Sequence, residues 1–341
     1  MKTPRRPSPS RSAFVAVAML VVVTLACSFP GLTAPTPIPP PPAATLTFTF
    51  TPPPLVTPPT NTEAPTLTAS PSPSPTTEPP TPTIAVPHAL IPSTSVDVGK
   101  LIYDATCIDT AAEKRAPFGD SYKTNLFERP FTQDMTYVAD LDIVSYNLSR
   151  DEKFYYVSIQ LLGSNPNNAL GIDYAVELDL DADGFGDVII VAHPPYKVEW
   201  STDNVQVALD TDHDTGGLSA ARSDAPLPGN GYDKIIFDRG LGDDHDLAWV
   251  RINAGKLATV QFAFKIPLAE NRFMYGVRAD AGLRDITELD YVDRYTEEEA
   301  GSPQAEEKLY PLKAIYAVDN TCRDAYGFVG NYEEPQRCPK K

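Results

Sequence analysis

The fold class is indicated by residues 154–161, which read FYYVSIQL. This segment is rich in aromatic and β-branched residues, which are typical of a half-buried strand. Similar short apolar runs follow one another after about Val96, and Asn, Asp, Gly or Pro bounds each of them. They predict strands at 141–146, 154–162, 172–178, 188–192, 204–209, 234–237, 248–252, 259–265, 273–279 and 313–318.

Helical periodicity is confined to one turn at residues 296–300. Many short strands with few helices predict an all-β domain, an antiparallel β-sandwich of the jelly-roll or Ig-like type. A parallel α/β fold would need crossover helices, and the sequence does not show the periodicity of such helices. We place the sandwich at residues 96–320, followed by a Cys-containing tail at 321–341.

The first 27 residues have the pattern of a signal peptide. A basic stretch precedes an apolar run from Ala13 to Ala26, which is too short to cross a bilayer. The run ends in Thr24-Leu25-Ala26-Cys27, which resembles the lipobox of bacterial lipoproteins, although Thr24 stands where Leu is usual. The resemblance implies export, lipidation of Cys27, and anchoring in the cell membrane on its extracellular side. Cleavage after Ala26 with free secretion is the alternative.

Residues 28–95 have the composition of a stalk. Between Pro30 and Pro92, 21 of 63 residues are proline, and Thr, Ser and Ala make up most of the rest. Such a segment has almost no apolar surface to bury, so we predict a disordered, polyproline-like linker. At about 3.1 Å per residue it spans at most roughly 200 Å. Its length would hold the domain away from the lipid surface.

The charge lies almost entirely in the C-terminal part. The chain carries 28 basic and 45 acidic side chains, a net charge of −17. After residue 95 there are 24 basic and 43 acidic side chains, a net charge of −19. Such a domain has no positive field to hold phosphate, which excludes a basic nucleic-acid binder. Membrane contact is therefore expected through the N-terminal lipid only.

The segment with the clearest chemistry is DLDADGFGD, residues 179–187. Its carboxylates stand at loop positions 1, 3, 5 and 9, with glycine at position 6 and a backbone carbonyl available at position 7. Ca²⁺ takes six to eight oxygen ligands, and this spacing wraps oxygens around one point. An EF-hand would need a glutamate at position 12, where Ile190 stands. The loop therefore predicts a Ca²⁺ site outside an EF-hand, with a solvated acidic turn as the alternative.

Residues 176–194 resemble the strand-loop-strand calcium site of FG-GAP repeats in integrin-type propellers. The resemblance covers about 20 residues without the regular copies of a propeller, so it extends to the loop and not to the fold. The ligands that it implies are Asp179, Asp181, Asp183, the carbonyl of Phe185, and Asp187.

A second acidic loop follows 31 residues later. Residues 207–214 repeat the valine, the third-position leucine and the three aspartates of residues 176–183 at the same spacing. Asp210, Asp212 and Asp214 are therefore candidates for a second metal site, although no acid stands at position 9. A third acidic turn lies at residues 238–246. For both, a solvated turn remains the alternative.

Three cysteines follow Cys27, and an exported protein permits disulfides. We predict a bond between Cys322 and Cys338, which close a short loop in the tail. Pairing of Cys107 with Cys322 is the alternative, and either arrangement leaves one thiol over.

Catalytic motifs such as His-Glu-x-x-His, Gly-x-Ser-x-Gly and the phosphate-binding Gly-Lys-Thr/Ser loop are absent from the sequence. Tyr196 and Trp200 lie four residues apart. On an extended strand they would share a face and form an aromatic platform for a ligand such as a sugar; the alternative is that Trp200 fills the core. Residues 140–214 also resemble the jelly-roll modules called DOMON and family 9 carbohydrate-binding modules, which implies ligand binding and not catalysis.

The sequence therefore predicts an exported, membrane-anchored, calcium-binding β-sandwich whose partner is an extracellular glycan or another cell-envelope component. Two alternatives stay open. One is a secreted hydrolase with a carboxylate active site, and the other is a structural envelope protein stabilised by calcium.

Overall fold

The computed structural model of the chain describes residues 86–116, 119–120, 122, 125–215, 231–253, 255–289, 291–301 and 312–328. These residues all belong to one unit, Pro79–Lys341. The predicted signal peptide, the predicted lipidation site Cys27, most of the predicted stalk, and Cys338 lie outside the described residues.

The described residues contain fourteen strands. In chain order they are β1 (Ile102–Tyr103), β2 (Glu128–Arg129), β3 (Ile143–Arg150), β4 (Phe154–Leu161), β5 (Asp173–Asp179), β6 (Val188–Ala192), β7 (Val205–Leu209), β8 (Lys234–Asp238), β9 (Leu241–Gly242), β10 (Ala248–Asn253), β11 (Thr259–Lys265), β12 (Phe273–Asp280), β13 (Val318–Asn320) and β14 (Asp324–Tyr326).

The strands form two antiparallel sheets. The smaller sheet has the order β1-β3-β4-β11-β10. The larger has the order β2-β13-β12-β5-β6-β7-β8-β9, and β14 also pairs with β12. The prediction of an all-β antiparallel β-sandwich is thus confirmed.

The alternation along β4 shows how the sequence builds the two faces of the smaller sheet. Tyr155, Val157 and Ile159 are fully buried in the main core, together with Val176 of the larger sheet. Tyr156 points to the opposite face, where it packs in a separate cluster. Side chains with a period of two bury one set between the sheets and the other beneath a covering segment.

Most predicted strands form, and β6 and β11 have the predicted bounds. The strand predicted at 313–318 is wrong, because pairing begins only at Val318. Ala317 has a positive φ of 52°, which interrupts an extended strand. The apolar residues before it, Leu312 and Ile315, fill small satellite clusters instead.

The predicted helical turn is a four-residue helix, Glu297–Ala300, with a capping box formed by Thr296 and Glu299. Another short helix is Tyr291–Arg294. None of the helices in the part of the chain that the structure describes has the length and apolarity of a membrane span.

Residues 88–99 cross the outer face of the smaller sheet, and we name them the N-terminal strap. At the β10 end, the Asp246 carboxylate lies 2.8 Å from His88 Nδ1 and accepts the backbone N–H of Ala89 at 3.0 Å. Further along, Ser93 N–H donates to the Tyr156 hydroxyl. The sandwich therefore begins before the predicted boundary at residue 96. It also extends past residue 320, since β14 belongs to the larger sheet.

Asp246→Ala is expected to release the beginning of the strap. The side chain is buried and accepts the backbone N–H groups of both Ala89 and Leu90. Losing these charge-assisted bonds costs roughly 1.5–3 kcal/mol each. Hydrogen exchange of the two amides should accelerate strongly, and mass spectrometry of the strap peptide measures it. Asp243→Ala, an exposed neighbour in the same turn, is the matched control; equal exchange in both variants would refute the strap contact.

Candidate functional site

The first acidic loop, residues 179–187, joins β5 to β6 and is organised around one buried carboxylate. Asp179 is 2% exposed. Its Oδ1 accepts the N–H of Ala182 at 2.6 Å, and its Oδ2 accepts the N–H of Gly184 at 3.0 Å. The loop turns through positive φ at Ala182 and Gly184, where glycine is the least strained residue.

The second acidic loop, residues 210–215, repeats this conformation. Asp210 Oδ1 accepts the N–H of His213 at 2.9 Å, and its Oδ2 accepts the N–H of Thr215 at 2.9 Å. These are again the third and fifth residues after the buried aspartate. His213 has a φ of 59°, close to the 65° of Ala182. The repeat seen in the sequence is therefore a repeat of backbone geometry.

The two loops lie side by side at one end of the larger sheet. β6 pairs with β7, so the β5–β6 and β7–β8 connections leave the sheet at the same end. Gly186 N–H donates to Thr215 O at 2.8 Å, and Asp210 N–H donates to Asp187 O at 3.0 Å. Two acidic hairpin connections thus share a backbone hydrogen-bond network.

Each loop gathers three carboxylates. One oxygen from each of Asp179, Asp181 and Asp187 lies within 4.8 Å of the others. Asp210, Asp212 and Asp214 form a second group by the same measure. In each group the first residue is buried, the second exposed and the third intermediate. Each group of carboxylates therefore extends from the buried end of the sheet to the protein surface.

Two of the five predicted first-loop ligands are not brought into this group. Asp183 is exposed, and its Oδ1 accepts the N–H of Phe185 at 2.9 Å. The carbonyl of Phe185 accepts a hydrogen bond from Arg323 at 3.4 Å. The structure therefore groups three of the five ligands that the FG-GAP resemblance implies, and the five-ligand set stays a prediction.

Arg323 is the residue at this site that the sequence did not reveal. Its Nη1 donates to Asp179 Oδ2 at 3.3 Å, and its Nε donates to Glu177 Oε2 at 3.2 Å. It also donates to the carbonyl of Gly184. The guanidinium supplies positive charge at the inner end of the first loop. It comes from the predicted tail, 144 positions from Asp179, so no local motif could indicate it.

Two carboxyl groups of the first loop have pKa values above the ordinary range. Burial raises the pKa of Asp179 to about 6, although Arg323 and the N–H groups of Ala182 and Gly184 lower it. Burial likewise raises the pKa of Asp187, and the charges of Asp181 and Asp183 add to the effect. A cation among these carboxylates would favour their ionised forms.

The third acidic turn does not form such a group. The Asp246 carboxylate is used by the N-terminal strap. Asp244 pairs with Lys265 Nζ at 2.6 Å and 2.7 Å. Asp244 and Asp246 therefore have protein partners, and these two carboxylates stabilise the fold.

The aromatic platform predicted at Tyr196 and Trp200 does not exist. Tyr196 is 4% exposed, and its hydroxyl contacts the carbonyls of Ile172 and Ala192 at 2.8 Å and 2.7 Å. Trp200 is partly buried under the strap and donates from Nε1 to Ser93 O. The two rings diverge because residues 193–200 form bends and not an extended strand.

The cysteine alternatives are partly resolved. Cys107 is a buried free thiol, so the alternative bond between Cys107 and Cys322 is not formed. The predicted bond between Cys322 and Cys338 stays a prediction, since Cys338 lies outside the described residues.

Comparisons of the chain with protein-family models, with curated proteins and with solved structures give no match.

Proposed function

We propose that the chain is an exported, lipid-anchored, calcium-binding β-sandwich that binds an extracellular ligand, with a glycan as the favoured class. The observation that carries the calcium part is the pair of acidic loops with one backbone conformation. Each presents three carboxylates within 4.8 Å of one another. Export and anchoring at Cys27 rest on the signal-like pattern of residues 1–27.

The carboxylate groups suit a hard cation on chemical grounds. Asp179, Asp181 and Asp187 would hold the first Ca²⁺, and the Asp210 group would hold a second. Carboxylate oxygens are ligands that Ca²⁺ prefers, and it takes six to eight oxygens in flexible geometry. The positive charge of Arg323 opposes a cation at the inner end of the loop, so the favourable position is toward the exposed Asp181.

A cation at this position would leave coordination sites open to solvent. Three carboxylates that bind through one oxygen each supply fewer oxygens than Ca²⁺ takes, so water or ligand hydroxyls complete the shell. Neighbouring sugar hydroxyls are such ligands. The glycan proposal therefore rests on the metal and no longer on an aromatic platform.

Calcium titration tests the proposal. In purified wild-type protein the two acidic loops are expected to bind two equivalents of Ca²⁺, in the 10⁻⁴–10⁻³ M range that is typical of extracellular modules. Asp181→Asn and Asp212→Asn should each lose one equivalent, because each removes an exposed ligand from one loop. Isothermal titration calorimetry measures both. Asp203→Asn, an aspartate that pairs with Lys197 away from the loops, is the control.

The absence of binding heat at millimolar Ca²⁺ would refute the calcium proposal. A glycan array probed in Ca²⁺ and again in chelator tests the ligand. Signals that disappear with chelator and with Asp181→Asn support the glycan. A melting temperature raised by Ca²⁺ without any array signal would instead favour the structural envelope protein.

A further inference from the structure

A further cluster of acidic residues, separate from the two acidic loops, lies between the edges of the two sheets. It consists of four carboxylates and one thiol. Glu128 and Asp319 come from β2 and β13 of the larger sheet, and Asp142 immediately precedes β3 of the smaller sheet. Asp104 and Cys107 follow β1. We name these five residues the inter-sheet cluster.

Four of the five residues are almost fully removed from solvent, and Asp104 is of intermediate exposure. Asp142, Asp319 and Cys107 are 0% exposed, and Glu128 is 2% exposed. Ligand atoms of Cys107, Glu128 and Asp142 lie within 4.8 Å of one another, and so do those of Asp104, Glu128 and Asp319. Glu128 belongs to both groups and is therefore central.

Two carboxylates of the cluster are only half satisfied. Asp142 Oδ2 accepts the N–H of Cys107 at 2.8 Å and the hydroxyl of Tyr137 at 2.7 Å. Asp319 Oδ2 accepts the N–H of Ile143 at 2.6 Å. Among the described residues, the second oxygen of each, Asp142 Oδ1 and Asp319 Oδ1, is buried without a hydrogen-bond partner. A buried acceptor left unpaired is costly, and an ionised one more so.

The neighbouring arginine does not neutralise the cluster. Arg129 adjoins Glu128 in β2, but its Nε donates to Asp120 at 2.5 Å. Its other donors reach Asp120 and the carbonyls of Ala300, Gly301 and Ile315. Within the part of the chain that the structure describes, no Lys or Arg pairs with Glu128, Asp142 or Asp319.

Burial and mutual repulsion disfavour the ionised forms of these carboxyls. Burial raises the pKa of Glu128 and of Asp319 well above the ordinary values, and the neighbouring carboxylates raise them further. Burial also raises the pKa of Asp142 to about 6, although the Tyr137 hydroxyl and the Cys107 N–H lower it. Buried carboxylates without a paired cation are costly.

We propose that the inter-sheet cluster binds a divalent cation of the oxygen-preferring class, such as Mn²⁺ or Ca²⁺, through Asp104, Glu128, Asp142 and Asp319. Carboxylates are the donors that suit this class. The unpartnered oxygens of Asp142 and Asp319 would gain a ligand bond, and Glu128 would contribute at the centre. The Cys107 thiol lies 3.2 Å from Glu128 Oε1 and borders the cation without being required. The bound ion would join the edge of one sheet to the edge of the other.

The bound ion would also stabilise the folded protein. The acidic groups that face Glu128 are Cys107, Asp104, Asp120, Asp142 and Asp319. A cation that binds this cluster in the folded state alone raises the stability of the protein by mass action.

The test uses Mn²⁺ and Ca²⁺ as probes on the full chain with both acidic loops disabled. The double variant Asp181→Asn/Asp212→Asn should still bind one equivalent of Mn²⁺, as measured by electron paramagnetic resonance of free Mn²⁺. Adding Asp319→Asn should weaken this binding by roughly 10- to 100-fold or more, since outer-shell changes alone cost that much. Adding Asp173→Asn, a buried aspartate outside the cluster that pairs with His193, should leave it unchanged.

Thermal unfolding provides a second readout. In chelator, Asp319→Asn should be at least as stable as wild type, because the amide keeps an acceptor for the Ile143 N–H and needs no counter-ion. With Mn²⁺ or Ca²⁺ present, the order should reverse. Asp142→Asn is the second variant and should behave alike. If the loop-disabled protein binds neither ion and neither ion raises its melting temperature, the inter-sheet site is overturned while the loop proposal stands.

Discussion

Arg129→Met is expected to lower the free energy of unfolding by about 3–5 kcal/mol, the usual cost of removing one partner of a buried ion pair. Arg129 is 0% exposed. It pairs with Asp120 at 2.5 Å and donates to the carbonyls of Ala300 and Gly301 at 2.9 Å and 2.6 Å. Methionine fills much of the volume but leaves a buried carboxylate and several carbonyls unpaired.

Urea denaturation followed by tryptophan fluorescence measures this loss. Arg115→Met is the matched control, because 42% of the Arg115 side chain is exposed and its pair with Glu113 is 3.4 Å long at the surface. A change within about 0.5 kcal/mol is expected there. Asp120→Asn added to Arg129→Met should recover part of the loss, since it removes the orphaned charge. If the Arg129→Met protein is as stable as the Arg115→Met control, the buried pair of Arg129 with Asp120 does not stabilise the fold as expected.

Arg323→Met is expected to destabilise the calcium-free domain and to strengthen calcium binding. The side chain pairs with Glu177 at 3.1 Å and with Asp179 at 3.3 Å, and all three groups are largely buried. Its removal costs about 3 kcal/mol or more without metal. It also removes a positive charge from the first loop and frees the carbonyl of Phe185. A repulsion of about 1–4 kcal/mol is relieved, so Ca²⁺ affinity should rise about tenfold or more.

Unfolding in chelator and calorimetric titration with Ca²⁺ measure the two effects in one variant. Arg284→Met is the control, because Arg284 is exposed and donates to Gly171 O away from the loops. It should change neither quantity appreciably. Weaker Ca²⁺ binding by Arg323→Met would mean that the arginine organises the site instead of competing with the ion.

Most of the fold could be predicted from the local pattern of apolar and polar residues. The alternation in segments such as β4 and β11 is a property of consecutive residues, so it predicts strands and their buried faces. The same holds for the loop that begins at Asp179 and its repeat at Asp210, because spacing within one hairpin connection determines which carboxylates can converge.

The parts that the sequence did not indicate depend on distant pairing or on local backbone departures. The inter-sheet cluster joins Asp104 and Asp319 with residues between them, and only the closure of the sandwich brings them together. The one sequence signal was an acid within an apolar run, as at Asp142 and Asp319. Tyr196 was misplaced because alternation holds only on an extended strand, and its segment bends.

The N-terminal strap also determines how the domain would respond to force. Tension arriving along the chain reaches the Asp246 contact before it reaches β1, a strand of only two residues. β1 and β10 lie at opposite edges of the smaller sheet. The load therefore first reaches the Asp246 contact, at the β10 edge. Pulling then shears successive contacts at Asp246, Tyr156 and Asn147. Under tension, the contacts of the strap would therefore break before β1, the shortest strand of the smaller sheet, is pulled away from β3.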